Sequence, residues 1–183
     1  MTQSLKIRTL INRIGRIDAA DGWSDDLNPT QLAALGYLAQ ANRFSRAPSH
    51  VADFLGTTRG TMSQTLKALE RKGYISELRS DADKRYTSYD LTAKGRTATR
   101  RPNPLEEALQ TSDTDTTDSL EHALTSLLQT MLKANKGRAF GQCIDCVHFK
   151  TGTPKGYCDL LSVSLESTET RQICHEQEPR LVS

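Results

Sequence analysis

Four cysteines lie close together near the C-terminal end of this 183-residue chain. They follow the order Cys143-x2-Cys146-x11-Cys158-x15-Cys174, and none of the 142 preceding residues is a cysteine. Thiolates are the usual ligands of structural zinc and of iron-sulfur clusters. The sequence therefore predicts one inorganic site that uses all four sulfur atoms.

The spacing of the cysteines helps to choose between the two kinds of centre. Zinc sites usually use two close ligand pairs, whereas here only Cys143 and Cys146 are close and the other two cysteines are isolated. This favours an iron-sulfur cluster over a zinc site with four cysteine ligands. A zinc site with three cysteines and one histidine is a further alternative, because His148 and His175 adjoin ligands and either could replace a cysteine.

The predicted cellular compartment of the protein agrees with a role of the cysteines as ligands. The N-terminus has no apolar signal core, and no stretch of about 18 apolar residues occurs. We therefore predict a cytoplasmic protein without a membrane partner. In a reducing cytosol, clustered cysteines are more often ligands or redox thiols than disulfides, although two disulfides remain an alternative.

Length and composition divide the chain into two predicted domains, residues 1–136 and residues 137–183. The first is long enough to bury a core. The second is too short to do so and contains all the cysteines, so its stability is expected to come from the inorganic centre.

The first domain has the pattern of a winged helix. A short helix over residues 50–55, a turn at Gly56 and a helix over residues 58–72 are typical of a helix-turn-helix. Two β-favouring runs follow at residues 74–79 and 86–91, and the polar residues between them predict a hairpin. The predicted fold is mainly α with a small β-wing.

Local signals predict where the helices of this domain begin, end and face. Asn28-Pro-Thr-Gln31 predicts a helix start with a capping box. Phe54 is expected to point inward, and the helix over residues 58–72 is expected to bury Met62, Leu66 and Leu69. Pro102 and Pro104 are expected to interrupt the helix that Thr92 caps, and a polar stretch over residues 111–118 precedes the last long helix.

Two further helices carry apolar stripes. The predicted helix over residues 4–20 has isoleucine and leucine at helical spacing, and so does the helix that carries residues 120–132. Each stripe needs to pack against either the core of its own chain or a second subunit.

Charge is distributed unevenly along the chain. The net charge is only +2, but residues 67–101 contain ten Lys or Arg and five Asp or Glu. This local excess suits a surface that faces phosphates, with a solvated face of mixed charge as the alternative.

Residues 5–134 resemble the multiple-antibiotic-resistance-regulator (MarR) family. Four segments carry the resemblance: Val51-Ala-Asp-Phe-Leu-Gly-Thr-Thr-Arg-Gly-Thr-Met-Ser63, Leu69-Glu-Arg-Lys-Gly-Tyr-Ile75, Arg79-Ser-Asp-Ala-Asp-Lys-Arg85 and Leu91-Thr-Ala-Lys-Gly95. The resemblance implies a homodimer whose terminal helices pack across a two-fold axis. Such a dimer would bind a pseudo-palindromic operator in double-stranded DNA.

The expected DNA-facing residues lie on the second helix of the helix-turn-helix and on the wing. They are Thr58, Arg59, Thr61, Ser63, Gln64, Lys67, Arg79, Asp83, Lys84 and Arg85. Polar side chains at the start of the helix suit base edges, whereas Lys67, Arg71 and Lys72 suit phosphates. The resemblance implies that Arg85 enters the minor groove and that Asp83 holds its guanidinium; an ordinary surface ion pair is the alternative.

A second resemblance covers the cysteines. The segments Cys143-Ile-Asp-Cys146-Val-His-Phe149 and Lys155-Gly-Tyr-Cys158-Asp-Leu160, with the lone Cys174, are similar to the cluster-binding half of the high-potential iron-sulfur proteins. This implies one [4Fe-4S] cluster on the four cysteines. The chain departs from that family in having Ile173, rather than an aromatic residue, before the last ligand.

Together these features predict a DNA-binding transcription regulator whose [4Fe-4S] cluster senses redox state, iron, oxygen or nitric oxide. One alternative is a MarR-like regulator with structural zinc that responds to a small aromatic ligand. Another is an electron-transfer or protein-interaction module. No Ser-His-Asp triad, phosphate loop or pair of catalytic carboxylates is evident in the sequence, so an enzyme is not predicted.

Overall fold

The structure is a computed structural model that describes residues 1–21, 26–79, 87–100, 103–135, 137–152 and 155–180. Its helices are α1 (Gln3–Asp21), α2 (Pro29–Gln40), α3 (Pro48–Phe54), α4 (Arg59–Arg71), α5 (Ala93–Ala98), α6 (Pro104–Thr111) and α7 (Thr114–Asn135). Its strands are β1 (Ile75–Arg79), β2 (Thr87–Leu91), β3 (Gly141–Gln142), β4 (Phe149–Lys150), β5 (Gly156–Cys158), β6 (Val163–Leu165) and β7 (Ile173–Cys174). None of the helices in these ranges is long and apolar enough to span a bilayer.

The core of the first domain forms where α2, α3 and α4 meet the wing. Helix α2 starts with the predicted capping box, in which the Asn28 side chain accepts from the backbone N–H of Gln31 and the Gln31 side chain accepts from that of Asn28. Helix α4 buries Met62, Leu66 and Leu69 completely. The predicted inward face of this helix is therefore confirmed.

The wing is an antiparallel hairpin in which Ile75 lies opposite Leu91 and Arg79 lies opposite Thr87. Ile75 and Leu91 are buried and close the core from this side. The predicted tip, with Asp83, Lys84 and Arg85, lies outside the described residues.

Three local features differ from the sequence-based expectation. Helix α6 was not predicted, because Pro102 and Pro104 look like helix breakers; Pro104 instead occupies the first turn, behind the Asn103 cap. Helix α7 starts at Thr114, within the stretch predicted to be irregular. Phe54 was expected to point inward but is 41% exposed, and its ring packs 4.6 Å from that of Tyr37.

The two long helices leave apolar faces uncovered in the single chain. The side chains concerned are between 41 and 59% exposed; they are Leu5, Ile7, Leu10, Ile11, Ile14 and Ile17 on α1, and Leu120, Leu124, Leu127 and Leu128 on α7. Helix α1 packs against α6. Among the described residues, the core of the same chain therefore does not cover these stripes.

The C-terminal module consists of short strands and turns. Strands β4, β5 and β6 form an antiparallel sheet in which Phe149 lies opposite Cys158. Strand β7 pairs with β3, so Cys174 lies opposite Gly141. The module follows α7 along the chain, but the predicted domain boundary after residue 136 stays a prediction.

Gly95 offers a direct test of how α5 packs on the wing. A Cβ atom at this position would collide with the backbone carbonyl of Tyr74, whereas one at Gly36, in the middle of α2, would meet nothing within 4 Å. We expect Gly95→Ala to lower the free energy of unfolding by about 1–3 kcal/mol. Gly36→Ala should raise it by up to about 1 kcal/mol. Urea unfolding of both variants measures the difference, and equal stability of the two would contradict the packing.

Candidate nucleic-acid interface and cysteine site

The helix-turn-helix is formed by α3, a turn and α4. Gly56 has φ +61°, a backbone conformation that suits glycine, and it lets the chain reverse between the two helices. Thr58 then caps α4, since its hydroxyl accepts from the backbone N–H of Thr61 at 3.1 Å. The start of α4 is thereby fixed, and its first turn is presented to solvent.

Most of the predicted DNA-facing side chains on α4 are accessible. Thr58, Arg59, Thr61, Gln64 and Lys67 are exposed, whereas Ser63 is half-buried. The side chains of Arg59, Gln64 and Lys67 form no hydrogen bond or ion pair with other residues in the described ranges, so they are available to a ligand.

Two other basic residues in this region have different surroundings. The ammonium group of Lys72 is held by the backbone carbonyl of Asp26 and by the Gln31 side chain, so its expected role on phosphates has to compete with contacts inside the chain. Arg79 ends β1 opposite Thr87. Asp83, Lys84 and Arg85 lie beyond the described part of the wing.

The four cysteines come together, as the sequence predicts. All are free thiols, and each is no more than 8% exposed. They line one small pocket, partly open to solvent, together with His148, Phe149, Leu165 and Glu176. Residues that are distant in sequence thus surround one common space.

The shape of this pocket bears on the kind of centre it suits. Within the described ranges, no three His, Cys, Asp or Glu residues are arranged to hold a metal ion. A single zinc ion would need four sulfurs about 2.3 Å from one point. An iron-sulfur cluster binds its thiolates through separate iron atoms, so it does not need the sulfurs to converge on one ion. Zinc ions and iron-sulfur clusters both bind thiols, so the choice between the two centres stays a prediction.

Hydrogen bonds around the pocket divide the protonation of the thiols unequally. The side-chain amide of Asn42 donates to the Cys143 sulfur at 3.6 Å, and the backbone N–H of Glu178 donates to the Cys146 sulfur at 3.5 Å. Hydrogen bonding from Cys143 lowers the pKa of Cys174 to about 6. The same hydrogen bond, together with burial, raises the pKa of Cys143. One thiolate is therefore ready to bind metal near neutral pH.

The two histidines beside the cysteines have different positions. His148 lines the pocket, and its Nε2 atom lies 3.4 Å from a carboxylate oxygen of Glu178. The His175 ring faces the first domain, where it stacks on His50 with ring centroids 3.7 Å apart. His175 is therefore poorly placed to replace a cysteine, whereas His148 stays a candidate.

The module docks onto residues 41–47, the α2–α3 connection. Ser45 accepts a hydrogen bond from the backbone N–H of His175 at 2.8 Å, and the backbone carbonyl of Ile173 accepts one from Asn42 at 3.0 Å. Arg43 binds Glu169 through two contacts of 2.6 and 2.7 Å. The cysteine module is thus attached to the segment that leads into the helix-turn-helix.

Sequence reasoning did not identify the α2–α3 connection as part of the site. Asn42, Arg43, Phe44 and Ser45 lie about 100 residues before the first cysteine. No local pattern marks them, because their role follows only from how the two parts of the chain pack. Glu178 and Arg180, which donate hydrogen bonds to the sulfur and the backbone carbonyl of Cys146, were missed for the same reason.

A helix-turn-helix followed by a two-stranded wing defines the first domain as a winged helix-turn-helix. Residues 25–85 match the MarR family model. The family match ends before the cysteines. It confirms the predicted fold class for the first domain.

Relatives agree with this assignment. The transcriptional repressor MprA of Escherichia coli K12 is 30% identical over 113 residues, which cover 57% of this chain and 64% of MprA. The chain therefore spans less than two thirds of the length of that relative. MprA is a transcriptional repressor.

Solved structures share the fold. FabT of Streptococcus pneumoniae in complex with DNA has a TM-score of 0.56 at 24% identity, over 72% of this chain and 96% of FabT. The MepR-DNA complex of S. aureus also has a TM-score of 0.56, at 20% identity, over 72% of this chain and 99% of MepR. At these identities the likeness establishes the fold alone.

The stacked histidines at the docking surface predict a dependence of stability on pH. Burial, and then the neighbouring His175, lower the pKa of His50 to about 4, while Glu176 and Asp53 oppose and Arg138 reinforces this shift. The unfolded chain takes up a proton near pH 6.5, so the docked form loses stability as pH falls from about 6.5 to about 4.

Urea unfolding at pH 7, 5.5 and 4.5 measures this loss. The control is His50→Gln, which cannot titrate in this range and should have a flatter profile over this interval. Wild-type stability that rises as the pH is lowered would contradict a neutral histidine pair.

Proposed function

We propose that the protein is a DNA-binding transcription regulator that acts as a homodimer. We further propose that Cys143, Cys146, Cys158 and Cys174 hold a [4Fe-4S] cluster whose state changes the affinity for the operator. The observation that carries this proposal is the convergence of four buried thiols on one pocket that is packed against the helix-turn-helix unit.

Accessibility and charge on α4 support the DNA-binding part. Arg59 and Gln64 are exposed in the first turns of the helix, where bidentate pairing with guanine and adenine edges is available to such side chains. Lys67 lies one turn further on and is also exposed, so it suits a phosphate. The relatives FabT and MepR are seen in complexes with DNA.

The uncovered faces of α1 and α7 support the homodimer. Soluble monomers rarely leave such long apolar stripes in water, and two such faces can bury each other across a two-fold axis. A dimer places two winged helices side by side, and half-sites about one helical turn apart would then match the two α4 helices.

The surroundings of the thiols support the cluster. The Asn42 side chain and the Glu178 backbone stabilise negative charge on two of the sulfurs. Leu165 is 1% exposed and Phe149 packs beside the thiols, so water is kept from the pocket wall. When bound, a [4Fe-4S] cluster supplies a redox centre whose potential depends on burial and on hydrogen bonds to sulfur.

Two substitutions that each remove a positive charge from α4 test the proposed DNA binding. Arg59→Ala should weaken binding to a selected operator by about 1–3 kcal/mol and relax the choice of base at one position in each half-site. Lys67→Ala should weaken binding to all sequences alike and reduce the slope of log affinity against log salt by about 1. Lys133→Ala on α7 removes the same charge outside the winged helix and is the control. Unchanged affinity in both α4 variants would overturn the assignment.

The coupling is tested by comparing cluster-loaded and cluster-free protein under anaerobic conditions. A difference in operator affinity of about 5- to 150-fold corresponds to a coupling free energy of about 1–3 kcal/mol. Equal affinities would contradict the proposal that the state of the cluster controls operator binding. A colourless protein with one zinc per chain would leave a regulator with structural zinc instead.

A further inference from the structure

The winged-helix domain contributes a hydrogen bond to the cysteine pocket. Asn42 is fully buried, and its Nδ2 atom donates to the Cys143 sulfur at 3.6 Å. Its Oδ1 atom accepts from the backbone N–H of Phe44 at 3.1 Å and from the Ser45 hydroxyl at 2.8 Å. The Asn42 side chain therefore forms hydrogen bonds both to Cys143 and to the turn of the α2–α3 connection.

The same connection also covers the thiols. Phe44 packs against the buried group formed by Cys143, Cys158, Cys174 and Leu165. An aromatic residue of the first domain thus lies against the thiols. The Arg43 guanidinium lies 4.5 Å above the Phe44 ring and binds the buried carboxylate of Glu169, so this cover is held in place.

Contacts from the connection reach the wing, and a contact from the module reaches α3. Arg46 forms an ion pair with Asp90 in β2 at 2.8 Å, and its backbone carbonyl accepts from the N–H of Tyr89 at 3.2 Å. On the other side, His175 stacks on His50 in α3, the first helix of the helix-turn-helix. A shift of this segment would therefore change the positions of α3 and the wing together.

We propose that the α2–α3 connection is part of the cluster-binding site, with Asn42 as hydrogen-bond donor to a ligand sulfur and Phe44 as its aromatic cover. Through these two residues the redox and loading state of the site acts on the helix-turn-helix of the same chain. This inference rests on the proposed function, because it assumes a cluster on the four cysteines.

The physical reason is reciprocal stabilisation. The Asn42 amide favours whichever state of the site places more negative charge on the Cys143 sulfur, which is the reduced state. By linkage, that state in turn strengthens the docking of the α2–α3 connection on the module. Loss of the centre removes this anchor and leaves the contacts of Arg43, Ser45 and Ile173.

Two variants separate the donor from the cover. Asn42→Asp keeps the oxygen that accepts from Phe44 and Ser45 but removes the donor, so the turn keeps its cap. Phe44→Leu keeps an apolar side chain but removes the ring. Gln40→Ala is the control, since this exposed side chain donates to the Gly36 carbonyl in its own helix.

The experiment measures iron and sulfide content, the reduction equilibrium and operator affinity in the anaerobically purified full chain. We expect Asn42→Asp to retain the cluster and to lower the equilibrium constant for its reduction about tenfold or more, which corresponds to about 59 mV per tenfold for one electron. The ratio of operator affinities between loaded and cluster-free protein should also fall toward unity. Phe44→Leu should lose the cluster several-fold faster in air.

Failure of the proposed function and failure of this inference would give different results. A wild-type protein without iron and sulfide overturns the proposed function, and this inference with it. The inference alone is overturned if the wild-type protein holds a cluster but Asn42→Asp and Phe44→Leu behave like Gln40→Ala. The three properties compared are the reduction potential, the stability in air and the ratio of operator affinities between loaded and cluster-free protein.

Discussion

Cys158→Ser is expected to lose the proposed cluster. Its C-terminal module should then no longer pack against the winged-helix domain. Cys158 lies in the middle of the module, in β5 opposite Phe149, and is 8% exposed. A serine oxygen is a poorer iron ligand than a thiolate. The substitution would also leave a polar O–H group buried. Binding of a structural metal centre contributes on the order of 10 kcal/mol to the folding of such small modules, so most of the module's stability should be lost.

Visible absorption, iron per chain and limited proteolysis after α7 measure this effect. We expect almost no bound iron and rapid cleavage within residues 137–180, while the unfolding transition of the winged helix persists because that domain has its own core. Ser167→Ala, an exposed hydroxyl in the same module, should leave all three readouts unchanged. Full iron content in Cys158→Ser would remove this cysteine from the ligand set.

Leu124→Glu is expected to convert the dimer to monomers. Leu124 lies in the centre of the apolar stripe of α7 and is 45% exposed in the single chain. A carboxylate buried without a partner at an interface costs about 3–5 kcal/mol. The dimer dissociation constant should therefore rise by more than about 100-fold. Operator affinity should fall with it, because two linked half-site contacts become independent.

Sedimentation equilibrium measures the association directly. Gln129→Glu places the same charge on the opposite side of α7 and should leave the dimer intact. A wild-type chain that sediments as a monomer, or a Leu124→Glu variant that sediments as a dimer, would contradict a two-fold interface on these helices.

Local sequence patterns were sufficient to predict most of the winged helix. The Asn28 capping box, the Gly56 turn and the apolar spacing of α4 each depend on residues within a few positions of one another, and each was confirmed. Helix α6 was missed because Pro104 has opposite meanings at the start and in the middle of a helix. The correct reading depends on Asn103, which caps this helix.

The cysteine site was predictable in part. The four cysteines share one pocket, as their clustering in the sequence indicates. The contributions of Asn42 and Phe44 were not predictable, because about 100 residues separate them from Cys143 and only tertiary packing brings them together. The identity of the bound group stays a prediction.

These contacts suggest a short route from the cysteine site to DNA. The sequence left open whether the module would act on the dimer helices or on a winged helix. Asn42, Ser45 and His50 connect the module to the α2–α3 connection and to α3, so the shorter route runs through the helix-turn-helix itself. Loosening of the dimer is not needed for an effect on the operator.

Iron and acid-labile sulfide in the anaerobically purified full chain, measured together with zinc, test the central claim most directly. A [4Fe-4S] site on the four thiols predicts about four iron and about four sulfide per chain, and a brown protein with broad visible absorption. One zinc per chain without sulfide, or a metal-free protein whose cysteines are paired as disulfides, would contradict it.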